Sequence, residues 1–195
     1  LAGTIVTIGR LWRPRPASPR APLISRTAML MPIYNENPER TFAAIEAMVR
    51  GVSRLNEIAA FDCFILSDTT DASVALTEES AYLSLRRRLA PVTRLYYRRR
   101  RRNTHRKAGN IADFCRRWGG AYDYMLVLDA DSLIEPDTIV ELARRMDAYP
   151  DAGIIQTVPR LINARAGLGR RQQGANRLYV PVVAAGLAWC CESEG

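Results

Sequence analysis

The chain has 195 residues, 48% of them hydrophobic and 25% charged, a balance that supports one buried core and excludes disorder as the starting assumption. Its formal net charge is +8, but residues 98–102 are five consecutive arginines, so the local run says more about partners than the global excess does. The four cysteines (Cys63, Cys115, Cys190 and Cys191) contain no C-x-x-C pair and His105 is the only histidine, which excludes a zinc site of Cys and His ligands and argues for a reducing compartment.

Residues 1–9, LAGTIVTIG, are apolar but too short for a membrane span, which needs about 20 residues. They are expected to be the tail of such a span, in a chain that reads as a fragment of a longer protein. Residues 10–20, RLWRPRPASPR, are basic and Pro-rich, which suits the cytoplasmic face of a membrane; a disordered terminus explains the same composition. Residues 1–26 therefore read as a juxtamembrane segment and linker, and residues 27–195 as one domain. Near the other end, LYVPVVAAGLAW is apolar but interrupted by Pro181.

From Thr27 onward, strand-like and helix-like stretches alternate. TAMLMPI (residues 27–33) is a short apolar strand. In residues 37–52, Asn37 can cap a helix, Pro38 suits its first turn, and Phe42, Ile45, Met48 and Val49 have helical spacing. FDCFILS (residues 61–67) is a second strand, in which Cys63 reads as a buried free thiol. Residues 73–89 form a second helix with Val74, Leu76, Tyr82, Leu85 and Leu89 on or near one face. TRLYYR is a short third strand, RKAGNIADFCRRW opens a third helix, and YDYMLVLD is a fourth, buried strand. EPDTIVELARRMDAY has Pro136 placed for a helix start with acids in its first turn. GIIQTVP (residues 153–159) is expected to be a last strand.

This rhythm specifies an α/β domain with a mostly parallel central sheet. Apolar strands without polar alternation fit a sheet covered on both faces. Ligands of such sheets bind outside the carboxyl ends of the strands. The polar clusters there are YNEN, SDTTD, the arginine run with KAGN, and DADS.

Each cluster has two readings. In DADS, Asp131 could serve a local turn, with Ser132 and Glu135 at capping-box spacing, a role that leaves Asp129 unexplained. Asp129 and Asp131 together could instead hold Mg2+ or Mn2+, which favour carboxylates plus substrate phosphates. Asp68 could be a turn residue or helix cap, or an acceptor for a base or ribose. Most of the arginine run reads as a solvated loop. Lys107, Gly109 and Asn110 sit at a helix start that attracts phosphate, with Gly109 permitting close backbone approach. Tyr34 could stack on a nucleobase, with Asn35 and Glu36 beside it. A nucleic-acid-binding module would use the arginine run and bind with steep salt dependence. It leaves the motif order unexplained and has only Tyr96 and Tyr97 as neighbouring aromatics, so no nucleic-acid partner is expected.

MPIYNE, SDTTD, HRKAGN and LVLDADS, in that order, resemble the inverting family 2 glycosyltransferases of GT-A fold. The resemblance is to the processive branch that includes cellulose and hyaluronan synthases. TAMLMPIYNENPERTFAAIEAM, HRKAGNIADFCRRWGGAYDYMLVLDADSLI and GIIQTVPRLINAR look most like the transferases that build osmoregulated periplasmic glucans in proteobacteria. The resemblance covers roughly residues 27–186.

It implies transfer of glucose from UDP-glucose to a growing β-glucan, with inversion. Asp68 would contact uridine, Tyr34 and Glu36 would line the nucleotide pocket, and Lys107 would sit by the uracil or diphosphate, with Asn110 nearby. Asp129 and Asp131 would form the D-x-D, with Asp131 the more direct ligand of Mg2+ or Mn2+. Gln156 and Thr157 resemble, weakly, an acceptor-side Q-T-P element. The family's general base, in a later T-E-D-like motif, is not found here and is expected beyond Gly195. Glu192 and Glu194 do not match it. Relatives are inner-membrane proteins with this domain in the cytoplasm, and acyl carrier protein is implied as a partner. Another family 2 transferase with a different sugar is the alternative.

Overall fold

The computed structural model describes residues 22–131 and 133–157. Strands β1 (Thr27–Ile33), β2 (Phe61–Ser67), β3 (Leu95–Arg99) and β4 (Tyr124–Val127) form one parallel sheet in the order β3-β2-β1-β4. Helices α1 (Pro38–Arg54), α2 (Ala72–Leu89), α3 (Arg106–Trp118) and α4 (Pro136–Ala148) connect or follow them. The α/β expectation with a mostly parallel sheet is met, in an arrangement consistent with a GT-A fold.

All seven residues of β1 and all seven of β2 are buried, Asp62 and Ser67 of β2 among them, as expected of largely apolar strands covered on both faces. Strand alternation then sorts their side chains into two layers. Met29, Met31, Ile33, Cys63 and Ile65 pack with α1, α2 and α4, against Phe42, Ile45, Met48, Leu85, Leu89 and Ile139. Ala28, Leu30, Phe64 and Leu66 face α3 and its Phe114. Phe64 stacks on Tyr96 at 4.7 Å and meets Phe114 edge-on at 4.8 Å. Each fully buried Leu, Ile, Met or Phe contributes roughly 1.5–3 kcal/mol relative to exposure, so the large layer carries most of the apolar stabilisation.

The helix starts follow the expected chemistry. The Asn37 Oδ1 accepts from the Arg40 N–H at 3.0 Å, with Pro38 as the first residue of α1. Asp71 caps α2 by accepting from the N–H groups of Ser73 and Val74. Cys63 is a buried free thiol.

Three expectations are corrected. Residues 153–157 form no strand; the rest of that segment, like residues 1–21 and 158–195, lies outside the described residues. Leu76 is 70% exposed, because the buried stripe of α2 runs through Ala75, Glu78, Leu85 and Leu89 and leaves Leu76 on the next face round. Helix α4 has Glu135 itself as its N-cap, with no side-chain cap hydrogen bond, so Glu135 is not the third helical residue that a capping box requires; Ser132 lies outside the described residues. Among the described residues, no helix is long and apolar enough to cross a membrane.

Candidate active site

The strand order reverses between β1 and β4: from β1 the chain moves outward through β2 to β3, then returns to place β4 on the other side. In an open α/β sheet that switch point opens a crevice beyond the carboxyl ends of the strands. YNEN, SDTTD, the arginine-rich loop with KAGN, and DADS follow β1, β2, β3 and β4 respectively. All four clusters converge on one edge.

The loop after β1 is set by Asn35, whose φ of 54° is left-handed, a conformation Asn tolerates better than most side chains. Its N–H donates to Thr69 Oγ1 at 3.0 Å and its Nδ2 to Thr70 Oγ1 at 3.1 Å. Its Oδ1 accepts from the N–H groups of Thr70 and Asp71, both at 3.1 Å. One side chain thus locks the turn after β1 to the turn after β2. Tyr34 is 53% exposed beside it, so its ring is available for stacking. The Tyr34 N–H donates to the Glu36 carboxylate. Burial pushes the Glu36 carboxyl above its ordinary pKa, and the charges of Glu78 and Asp131 add to the shift.

Under the second turn lies a buried acid that the sequence reading missed. Glu78, 1% exposed, accepts from Ser67 Oγ at 2.7 Å, Thr69 Oγ1 at 2.5 Å and Tyr97 Oη at 2.9 Å. Its signal was a Glu in the inward stripe of α2.

The arginine run is not a uniform solvated loop. Strand alternation turns Arg98 and Arg100 inward, with side chains 15% and 9% exposed, while Arg99, Arg101 and Arg102 are exposed. Arg98 Nη2 donates to the Asn110 carbonyl at 3.2 Å. Its Nη1 lies 3.3 Å from Asp113 Oδ2, an ion pair by distance without hydrogen-bond geometry. Arg100 grips Asp68 with two bonds, Nε to Oδ1 and Nη2 to Oδ2, each 2.6 Å. That hydrogen bonding raises the Arg100 guanidinium's pKa above its usual value. Asp68 is at the expected strand end, and both carboxylate oxygens accept.

Lys107 and Asp129 are brought together. The Lys107 ammonium donates to the Asp129 carboxylate, and its Nζ lies 3.5 Å from the Leu128 carbonyl. Asp131 is exposed two residues on. Asn110 is not a lining residue here: it is 1% exposed and donates through Nδ2 to the Leu66 carbonyl at 2.8 Å. Gln156 and Thr157 are half-buried after α4. A groove of about 360 Å³ runs between α1, at Ala43 and Ala47, and the DADS loop, at Ala130, Asp131 and Leu133.

The donor set at this edge is all oxygen, from Asp129 and Asp131 with Glu36 nearby, which suits a hard divalent cation better than zinc. Among the described residues no group of three His, Cys, Asp or Glu side chains is arranged to hold a metal. Two carboxylates completed by phosphate oxygens are the arrangement typical of Mg2+.

Residues 29–182 match the profile of Glycosyl transferase family 2. The chain is 54% identical over all 195 residues to Glucans biosynthesis glucosyltransferase H of Vibrio cholerae serotype O1 (strain El Tor Inaba N16961), of which it covers 27%. It is 57% identical over 173 residues, 89% of this chain, to the protein of the same name from Shewanella sp. (strain ANA-3), of which it covers 24%. It thus spans about a quarter of the length of these relatives. The chain belongs to glycosyl transferase family 2.

Proposed function

We propose that this chain is the donor-binding part of a glucosyltransferase that moves glucose from UDP-glucose to a growing β-glucan with inversion. The observation that carries the reading is the Lys107–Asp129 pair beside Asp131 at the switch point of the sheet. A cation and an anion are held there, each of a kind a metal–diphosphate would use. The name of the relatives supports the sugar and the polymer. Residues 27–195 are proposed as the donor-binding part of a GT-A domain that faces the cytoplasm, attached to the inner membrane through the segment before Thr27.

Each residue has a separable part. Tyr34 offers its exposed ring to the uracil. Asn35 and Glu78 fix the turns that frame the base. Lys107 places a positive charge against the diphosphate, where leaving-group charge develops. Asp129 and Asp131 would hold Mg2+ or Mn2+, with Asp131 the direct ligand. Bound there, the cation would neutralise charge on the departing diphosphate as a Lewis acid.

The test is calorimetry of UDP with the chain, with and without Mn2+. Metal-dependent binding is expected. A folded sample that binds UDP equally well without metal, or not at all, overturns the reading.

A further inference from the structure

We propose that Arg99, Arg101, Arg102 and Arg106 steer the nucleotide diphosphate into this site by their charge at a distance, without contacting it. The proposal rests on the UDP-binding reading above.

The rim of the site is acidic everywhere else. The clusters after β1, β2 and β4 carry five carboxylates (Glu36, Asp68, Asp71, Asp129 and Asp131) and no Arg or Lys. A nucleoside diphosphate approaching them meets charge of its own sign. Residues 98–107 hold seven cations and no acid. Three of the seven are committed: Arg98 to Asp113, Arg100 to Asp68 and Lys107 to Asp129. The other four, Arg99, Arg101, Arg102 and Arg106, are exposed and form no ion pair among the described residues. Guanidinium groups stay charged at any working pH.

The loop that carries these charges is fastened to the rim. The Arg100 N–H donates to the Ser67 carbonyl at 3.0 Å, and its guanidinium holds Asp68 with two bonds of 2.6 Å. These bonds leave lone pairs on both Asp68 oxygens for a ligand. Asn103 Nδ2 donates to the Asp68 carbonyl at 3.1 Å. On the loop's own side, Arg100 Nη1 donates to the Thr104 carbonyl at 3.2 Å and Nη2 to the Arg106 carbonyl at 3.1 Å. Gly109 lets α3 lie close underneath: a Cβ there would stand 2.1 Å from the Thr104 oxygen. The unpaired arginines therefore sit beside the turn after β2, at the mouth of the crevice. Like charges grouped at a cleft raise the on-rate of an oppositely charged ligand, and salt removes the effect.

Strand β3 is also the edge of the sheet, where charged side chains blunt unwanted strand pairing. That role asks nothing of ligand kinetics, so rates separate the two. Binding of UDP labelled with a fluorescent methylanthraniloyl group is followed by stopped flow in Mn2+, and the Kd of unlabelled UDP by calorimetry. The combined variant Arg99→Gln, Arg101→Gln, Arg102→Gln should lower kon about threefold to tenfold in about 0.01 M KCl. The Kd should rise by the same factor, with koff within about twofold. In about 1 M KCl, where the Debye length is about 3 Å, the difference should vanish. The corresponding triple Lys variant keeps the charge and should bind within about twofold of the unaltered chain. Uridine, which is uncharged, should bind all three alike by saturation-transfer NMR.

An unchanged kon in the folded Gln variant overturns the proposal. So does a loss confined to koff, or a Lys variant as weak as the Gln variant, since either means direct contact by the guanidinium groups. If the Gln variant does not fold, the unaltered chain decides: a kon that is the same in low and high salt overturns steering. Failure of the unaltered chain to bind UDP at any salt overturns the nucleotide reading, and this proposal with it.

Discussion

Lys107, on the first turn of α3, donates its ammonium to the carboxylate of Asp129, just past the end of β4. The lysine side chain is 47% exposed and the aspartate's 26%. Pairs this exposed stabilise a fold by about 0–1 kcal/mol, so the pair matters more for what it could hand over. A lysine on a flexible stem can swing from a carboxylate to a phosphate.

Lys107→Ala is therefore expected to have opposite effects on two ligands. UDP with Mn2+ should bind about tenfold more weakly, because a charge on the diphosphate is lost. Mn2+ without nucleotide should bind more tightly, because Asp129 no longer has a competing cation. Calorimetry of both ligands checks the pair of signs; a fall in both would mean that Lys107 does not compete with metal. Thermal unfolding should move by no more than about 1 kcal/mol.

Asp131→Asn should remove the dependence of UDP binding on Mn2+ while leaving the fold intact, since Asp131 is exposed and outside every strand and helix. Asp129→Asn should weaken the metal effect only in part, because it also releases Lys107. Equal retention of metal dependence in both variants would place the cation elsewhere.

What the sequence made legible was local. Unbroken apolar runs located β1 and β2, and caps such as Asn37 and prolines such as Pro38 and Pro136 located helix starts, because each acts on backbone within a few residues. Topology then brought the four clusters to one edge. What stayed hidden was pairing across strands. Arg100 and Asp68 lie 32 positions apart, and Arg100 was masked by four identical neighbours. Only the two-residue period of an extended chain separates Arg98 and Arg100 from Arg99. Glu78 was hidden by the opposite problem: an acid on an apolar stripe makes sense only once Ser67, Thr69 and Tyr97 are seen above it. Residues 153–157 had strand composition, but composition does not supply a ladder partner.

Glu78→Ala leaves Ser67, Thr69 and Tyr97 without their buried acceptor. The cost should be roughly 3 kcal/mol, read as a lower urea midpoint with unchanged slope. Because Thr69 Oγ1 also accepts from the Asn35 N–H, the turn that frames Tyr34 should loosen too, and uridine affinity should fall alongside stability. Stability loss with unchanged uridine binding would separate the two turns.

Gly51→Ala tests how tightly α1 seats the start of α4. A Cβ at Gly51 would lie 2.1 Å from Pro136 Cγ, and the proline ring has little room to give. Overpacking of this kind costs about 1–3 kcal/mol. Since Pro136 follows the DADS loop closely, the expected signature is a lower melting temperature together with weaker Mn2+ binding. A neutral substitution would show that α4 is free to shift.

The buried thiol of Cys63 makes a prediction about alkali. Burial, with the neighbouring charge of Asp62, pushes its pKa from 9.0 up to about 12. In the unfolded chain the thiol ionises near 9, so between the two values the unfolded state binds fewer protons than the folded one. Stability must then fall as pH rises. The contribution is intact below pH 9.0 and is lost progressively up to about 12, with a ceiling on the order of 4 kcal/mol. Cys63→Ala should be less stable by about 1 kcal/mol near neutrality, through the space it leaves. It should lose less stability than the unaltered chain as pH rises, so the two curves should approach or cross. Titrations of lysines and of the remaining tyrosines are common to both proteins and cancel in the difference. Urea unfolding of the two proteins from about pH 7 to about pH 11 decides it: parallel curves would mean that the Cys63 thiol ionises in the folded chain as readily as in the unfolded one.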